Sequence, residues 1–365
     1  MSIYIKITFL SDTTYHTYLT IIIPTIVAFI VTVIALLFVK GYMLESGVVS
    51  IDHNKKNKPI VASSGGIAVA FGFATGLLTY IFGSSFPSVE APFYTPVASL
   101  TYIYATILAV MLIAIGGLLD DINVKGKMEK TTGMRDIRKG LKQWQKPLLS
   151  LLGALPLMAI NAGNAFVDVP FVGLVNFGIF YPLLIIPLAV IFAANAFNLL
   201  GGFDGIAGGS ALVMIIGFLI YSLIYGSYYG TLISSISVAI LVAFLIFNIY
   251  PAKIMPGDSF SYTVGAIIVV LMIMGNMEAF GVIVFMPWFV EFILHAIKKF
   301  DTTDLGILQP DGTFKPPYGK KIYSWTHLIM NIKRCKEWEV SFYMGIIEAL
   351  FVALAFGLKF AHLLV

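Results

Sequence analysis

Apolar runs long enough to cross a bilayer recur along the whole chain, and they constrain its fold more than any other feature. A hydrocarbon core needs about 20 apolar residues per helix. Windows near 18–39, 62–83, 99–119, 147–162, 181–198, 209–226, 230–250, 261–275, 279–297 and 341–363 approach or meet that length, most of them without an internal charge. Of the 365 residues 59% are apolar and 12% charged, which excludes an ordinary soluble domain. The reading is a single all-α, polytopic membrane domain over 1–365 with about ten spans, and residues 298–340 form a long loop between the ninth and tenth. The N-terminus lacks the basic n-region and short apolar core of a cleavable signal, so the first span is expected to direct its own insertion. The one cysteine, Cys335, cannot form an intramolecular disulfide and reads as a bystander.

Ten spans divide the loops between two faces. Residues 40–61, 120–146, 199–208, 251–260 and 298–340 fall on one face and carry 21 of the 23 lysines and arginines. Only Lys6 and Lys359 fall on the other. The positive-inside rule makes the first face cytoplasmic and puts both termini outside. Asp120, Asp121, Asp204 and Asp258 then share the cytoplasmic rim, at the mouths of spans distant in sequence. One aspartate there reads as a solvated loop residue, but four on one rim suggest a cation site, since ionisable groups at membrane depth are commonly functional.

The stretch "GGLLDDIN" ends a span on adjacent aspartates, whose charges about 6 Å apart would repel by roughly 3 kcal/mol at an effective dielectric of about 20. Successive helical residues point about 100° apart, so the two carboxylates aim differently. One could ligate a metal while the other acts through water or as a base. Hard oxygen donors with no His or Cys cluster favour Mg²⁺, with Mn²⁺ as the alternative. In "NAFNLLGGFDGIAGGS", Asn195 and Asn198 share a helical face, while Gly201, Gly202, Gly205, Gly208 and Gly209 allow close backbone approach around Asp204. Amides, a carboxylate and bare backbone suit a nucleotide diphosphate. "MPGDSFSYTVGA" puts Asp258 at the start of a span, where helix initiation with Ser259 as a cap is the simpler account; its place beside the aspartate pair raises it to a site candidate.

The loop "VKGKMEKTTGMRDIRKGLKQWQKPLL" carries eight cations that mostly set topology and attract anionic headgroups. Lys146 stands apart because it precedes Pro147 at a helix start, a place for phosphate. Glu291 and His295 lie one turn apart, and "EFILH" is not a zinc-protease motif; pairing with His295 or Lys298 explains Glu291 structurally. For His327, in "YSWTHLIM", substrate contact and a fold role both stay open.

Taken in order, "LDD", "NAFNLLGGFDGIAGG" and "GDSFSYTVGA" resemble the polyprenyl-phosphate N-acetylhexosamine-1-phosphate transferase family, over nearly the whole chain. The last long loop lacks the three-histidine run of the bacterial muramoyl-pentapeptide branch, so the chain looks more like the archaeal and eukaryotic dolichyl-phosphate N-acetylglucosamine-phosphotransferase branch. Asp52, Asn54, Lys55 and Gly66 match an early motif, whereas Ala62 and Ser63 stand where Pro and Glu are expected. The resemblance implies that Asn198 and Asp258 hold Mg²⁺ and that Asp120 and Asp121 organise the metal or the attacking phosphate. It further implies that Lys146 binds the lipid phosphate and that Gly202 and Asp204 contact the uracil or its surroundings. The implied substrates are UDP-GlcNAc, or a related UDP-sugar, and a polyprenyl or dolichyl phosphate; the products are lipid-PP-GlcNAc and UMP, the first membrane step of lipid-linked glycan assembly. The expected site is a cell membrane facing the cytoplasm in an archaeon, or the endoplasmic reticulum in a eukaryote. Nucleic acid is not an expected partner, and a homodimer is compatible with the reading.

Two other classes compete. A secondary transporter would hold its polar residues near the midplane, often on repeated broken helices, whereas these cluster on the rim and no repeat is found. An intramembrane aspartyl protease would carry G-x-G-D, but Met255 stands at the first glycine of "MPGD".

Overall fold

The structure is a computed structural model that describes residues 12–85, 97–122, 129–131, 135–137, 141–142, 144–169, 172–361 and 363–364. Most of the basic loop after Asp121, most of the outer loop near 84–98, the extreme N-terminus with Lys6, and His362 lie outside the described residues. The described chain is mostly helical: α1 (Asp12–Ser46), α2 (Gly66–Ser85), α3 (Val97–Ile122), α4 (Gln145–Ala159), α5 (Ile186–Phe197), α6 (Ile206–Tyr225), α7 (Tyr228–Asn248), α8 (Gly257–Gly275), α9 (Glu278–Val284), α10 (Met286–Ile297), α11 (Trp325–Ile332) and α12 (Glu337–Phe360). The strands among the described residues form short antiparallel hairpins in the loops, such as Val49–Ile51 with Ile60–Ala62 and Ile307–Leu308 with Phe314–Lys315.

Each of the ten apolar windows falls on a helix, so the polytopic all-α reading holds. By length and composition, however, seven described helices can cross a membrane, or eight if the α9–α10 pair is one span. That pair bends by 52°. Pro287 at the start of α10 lacks the N–H that would continue the ladder from α9. The fifth window begins as a π-helical turn, Tyr181–Ile185, before α5, with Pro182 and Pro187 near the junction. The fourth window is α4, whose 15 residues reach only about 22 Å at 1.5 Å per residue. α11, inside the 298–340 loop, is a helix the hydropathy pattern does not announce.

α8 is the hub of the bundle. Over its most apolar stretch 78% of residues are buried, against 22% for α1 and α12, which lie at the periphery and turn apolar side chains such as Ile26, Leu37 and Leu354 outward. α2, α3, α5 and α7 all pack on α8. Phe260 stacks on Phe244 of α7 with ring centroids 4.2 Å apart.

Hydrogen bonds tie together the five loops that the charge count places on one face. Met255 N–H donates to Ala62 O at 2.8 Å, Asp258 N–H to Asp121, Asn54 to Gly202, and the Gly202 N–H to Asp304. The structure thus gathers the chemistry-bearing segments at one end of the bundle.

Candidate active site

The two aspartates that end α3 point to different partners, which answers their repulsion. Asp121 reaches across to α8, where Oδ1 accepts from the Asp258 N–H at 2.8 Å and Oδ2 from the Ser259 N–H at 3.1 Å. Those N–H groups belong to the first turn of a helix, which has no internal acceptors for them and carries partial positive charge. Asp121 therefore caps α8 from another helix, the role sequence pattern assigns to Ser259. Gly257 makes the approach feasible: its φ is +69°, and a Cβ there would lie 2.5 Å from Asp121 Oδ2.

Asp120 turns the other way. Its Oδ1 accepts from the Leu141 N–H at 2.6 Å, and its Oδ2 lies 2.6 Å from Lys146 Nζ in the first turn of α4. The same ammonium lies 3.2 Å from Asp258 Oδ2, so Lys146 bridges the ends of α3 and α8. Asp258 also takes a hydrogen bond from the side chain of Asn198, which directly follows α5. Four helix ends thus converge on one group of two carboxylates, one ammonium and one amide, with the Asp121 carboxylate beneath.

A cavity of about 310 Å³ opens beside this group. Asp121, Asn198, Gly202 and Asp258 are on its wall, together with Asp52, His53 and Asp304.

A second charged group borders the same cavity through Asp52. Lys55 Nζ lies 2.9 Å from Asp52, 2.7 Å from Asp204 and 2.6 Å from Glu337, the first residue of α12. Those three carboxylates stand close enough together to hold a metal ion. Here the Lys55 ammonium lies among them and supplies the cation. Burial alone would lower the Lys55 pKa; hydrogen bonds to Asp204 and Glu337 outweigh it and hold the ammonium well above the usual lysine range. Asn54 Nδ2 donates to Gly202 O at 2.6 Å, and Asp204 Oδ2 accepts from the Ala252 N–H at 2.9 Å, so this group sets the glycine-rich turn against its neighbours.

Other singled-out residues lie off the wall. Asn195 donates to Ile191 O at 2.8 Å and to Ser150 Oγ at 3.3 Å, tying α5 to α4. His327 is fully buried; Nδ1 accepts from the Tyr323 N–H at 3.2 Å and Nε2 donates to Thr303 O at 2.9 Å, so it staples the long loop to itself. Burial lowers its pKa, which keeps the ring neutral. Glu291 pairs with His295 at 3.0 Å, as expected, and its other oxygen accepts from the Trp325 N–H at 2.9 Å. Sequence pattern did not single out Glu337 or Asp304. A Glu opening a span reads as a helix-start residue, and nothing local separates Asp304 from Asp301 in "DTTDLG"; only the fold brings them to the glycine turn.

Residues 103–276, which carry the "LDD", "NAFNLLGGFDG" and "GDSFSYT" stretches, match the glycosyl transferase family 4 profile. A Saccharolobus solfataricus protein provisionally named a UDP-N-acetylglucosamine–dolichyl-phosphate N-acetylglucosaminephosphotransferase is 32% identical over 92% of this chain and 96% of its own length. A Sulfolobus acidocaldarius protein of the same provisional name is 31% identical over 92% and 95%. A phospho-N-acetylmuramoyl-pentapeptide-transferase of Halalkalibacterium halodurans is 27% identical over 69% and 74%. By these matches, extending through the stretches that build the cavity, the chain belongs to glycosyl transferase family 4.

Proposed function

We propose that the protein transfers GlcNAc-1-phosphate from UDP-GlcNAc to a polyprenyl phosphate of the dolichyl type, giving lipid-PP-GlcNAc and UMP. The observation that carries the reading is the Asp120–Lys146–Asp258–Asn198 group, which draws residues from four separated segments to the edge of one cavity. The relatives named for this reaction support the donor and acceptor; the donor sugar rests on their names rather than on side-chain chemistry. Since those relatives are archaeal, a cell membrane is the favoured location. The charge bias of the loops supports a site on its cytoplasmic rim, where a soluble nucleotide can meet a lipid headgroup.

In the reaction, an oxygen of the lipid phosphate forms a bond to the β-phosphorus of the donor, and the bond from that phosphorus to the bridging α,β-oxygen breaks. UMP leaves with the bridging oxygen. A strong base is not required, because a phosphate monoester is mostly dianionic at pH 7, its second pKa lying near 6. Positioning and charge balance carry phosphoryl transfer, and they are what these residues supply. Lys146 places an ammonium between Asp120 and Asp258, where it would hold the incoming phosphate. Asp121 fixes the first turn of α8 and so the direction of Asp258. Gly202 and Asp204, with Asn54 and Lys55 behind them, shape the nucleotide end.

The donor set on the wall fits a hard divalent cation: Asn198 offers an amide oxygen, and the Asp258 side chain keeps 29% of its surface exposed toward the cavity edge. Asn198 and Asp258 would hold Mg²⁺, or Mn²⁺, which when bound would offset charge on the diphosphate and steady its geometry. The test is UMP release by purified protein, with expected activity only when UDP-GlcNAc, a polyprenyl phosphate and Mg²⁺ are all present. Asp258→Ala and Asp121→Asn are each expected to abolish it in folded protein. Absence of lipid-dependent UMP release across a panel of UDP-sugars would overturn the reading.

A further inference from the structure

The glycine turn at the cavity is held from two sides by residues of different loops. Asn54 takes the Gly202 carbonyl, while Asp304 takes the opposite edge: its Oδ2 accepts from the Gly201 N–H at 2.9 Å and from the Gly202 N–H at 2.6 Å. Two successive backbone N–H groups converging on one oxygen form a compact anion-binding concavity. A carboxylate from the 298–340 loop fills it, and both Asp304 and the neighbouring Leu305 line the cavity.

That loop is braced where Asp304 leaves it. Thr326 Oγ1 donates to Asp304 O at 2.6 Å, His327 Nε2 to Thr303 O at 2.9 Å, and the start of α11 is held by Glu291 of α10. An unbroken series of polar contacts therefore runs from a membrane helix through α11 to the glycine turn. Gly202 is fitted to this contact. A Cβ at that position would lie 2.7 Å from Asp304 Oδ1, 2.9 Å from Oδ2 and 2.7 Å from Leu305 Cδ2.

We propose that Asp304 is a positioning residue for the nucleotide-sugar donor, seating the 298–340 loop and orienting the Gly201–Gly202 peptides on the donor side of the cavity. The inference rests on the transferase reading above and adds a residue and a substrate to it. Asp304 lies outside the Lys146 group, so its loss should weaken donor binding and leave lipid phosphate handling alone. A brace that served folding only would instead change the amount of folded protein without separating the two substrates.

The experiment measures UMP release for Asp304→Asn in detergent, with UDP-GlcNAc and polyprenyl phosphate varied in turn. Asp304→Asn keeps the side-chain shape and one carbonyl acceptor but removes the charge that strengthens both N–H contacts. The expected result is a donor KM raised about five- to thirty-fold, with kcat and the lipid KM within about two-fold of wild type, the size expected for weakening hydrogen bonds to a charged group. An unchanged donor KM, or a fall in kcat without a KM effect, overturns the proposal. If that variant does not fold, Thr326→Val carries the same test, since it removes the hydroxyl that holds the Asp304 backbone while keeping the side-chain shape; a wild-type donor KM there overturns the proposal equally. Failure of wild-type protein to release UMP at all would count against the transferase reading instead, so the two failures are distinguishable.

Discussion

Lys146 serves two carboxylates from separate helices, and removing it would leave Asp120 and Asp258 facing each other without a cation. Lys146→Met is expected to lower kcat by about 100-fold or more, comparable to loss of one preorganised donor at a reacting oxygen. Steady-state UMP release checks this; a rate within a few-fold of wild type would remove Lys146 from the site. His327 predicts something different, because it acts in the fold. Its pKa lies below the ordinary 6.5 through burial, and its Nδ1 is occupied as an acceptor. As pH falls, the unfolded chain takes up the proton first, so this contribution is complete above 6.5 and is lost as pH drops toward the lower folded value. His327→Gln should flatten the decline of the thermal midpoint as pH falls below 6.5, measured by thermal unfolding across a pH series; a decline as steep as that of wild type would contradict this role. At this scale the sequence was informative about identities and poor on roles: "LDD" marked both aspartates, but their opposite orientations need α4 and α8 in place.

Elements explain why a residue without charge can matter to the site. Gly117 of α3 faces the start of α8, and a Cβ there would lie 2.6 Å from Ser259 Cα and 2.8 Å from Asp258 O. Gly117→Ala should force α3 and α8 apart at that end and disturb the Asp121 cap. The expected outcome is turnover reduced at least about ten-fold, with a lowered thermal midpoint from the weakened cap, worth about 1 kcal/mol. Activity assays and thermal unfolding of the same preparation check it; wild-type values in both would contradict the close packing. Hydropathy made the helices legible because an apolar stretch of sufficient length is a local signal. The break at Pro287, the short α4 and the presence of α11 are set by packing against neighbours, which hydropathy does not encode. The cap by Asp121 was hidden for a related reason: capping signals are sought within a few residues of a helix start, and this one comes from 137 residues away.

For the whole molecule, the bundle gathers five loops at one end, where two ionic groups flank one cavity. Lys146 joins α3, α4 and α8 on one side, and Lys55 joins the loop before α2, the glycine turn and α12 on the other. The division suits a reaction with two unlike substrates, one reaching the site from the membrane and one from water. The charge asymmetry of the loops foretold that the carboxylates would share an end, because span alternation is a counting argument that survives errors of a few residues. It did not foretell the separation into two groups, which depends on Glu337 arriving from the last helix to meet Lys55 and Asp204. The central claim is that a sugar and its phosphate move together onto the lipid. The most direct measurement supplies UDP-GlcNAc radiolabelled at the β-phosphorus together with polyprenyl phosphate and Mg²⁺, and follows the label into the organic-extractable lipid. The account predicts lipid-bound label matched by UMP release, absent without the lipid phosphate and in Asp258→Ala; label remaining in water-soluble UDP while GlcNAc enters the lipid would contradict it.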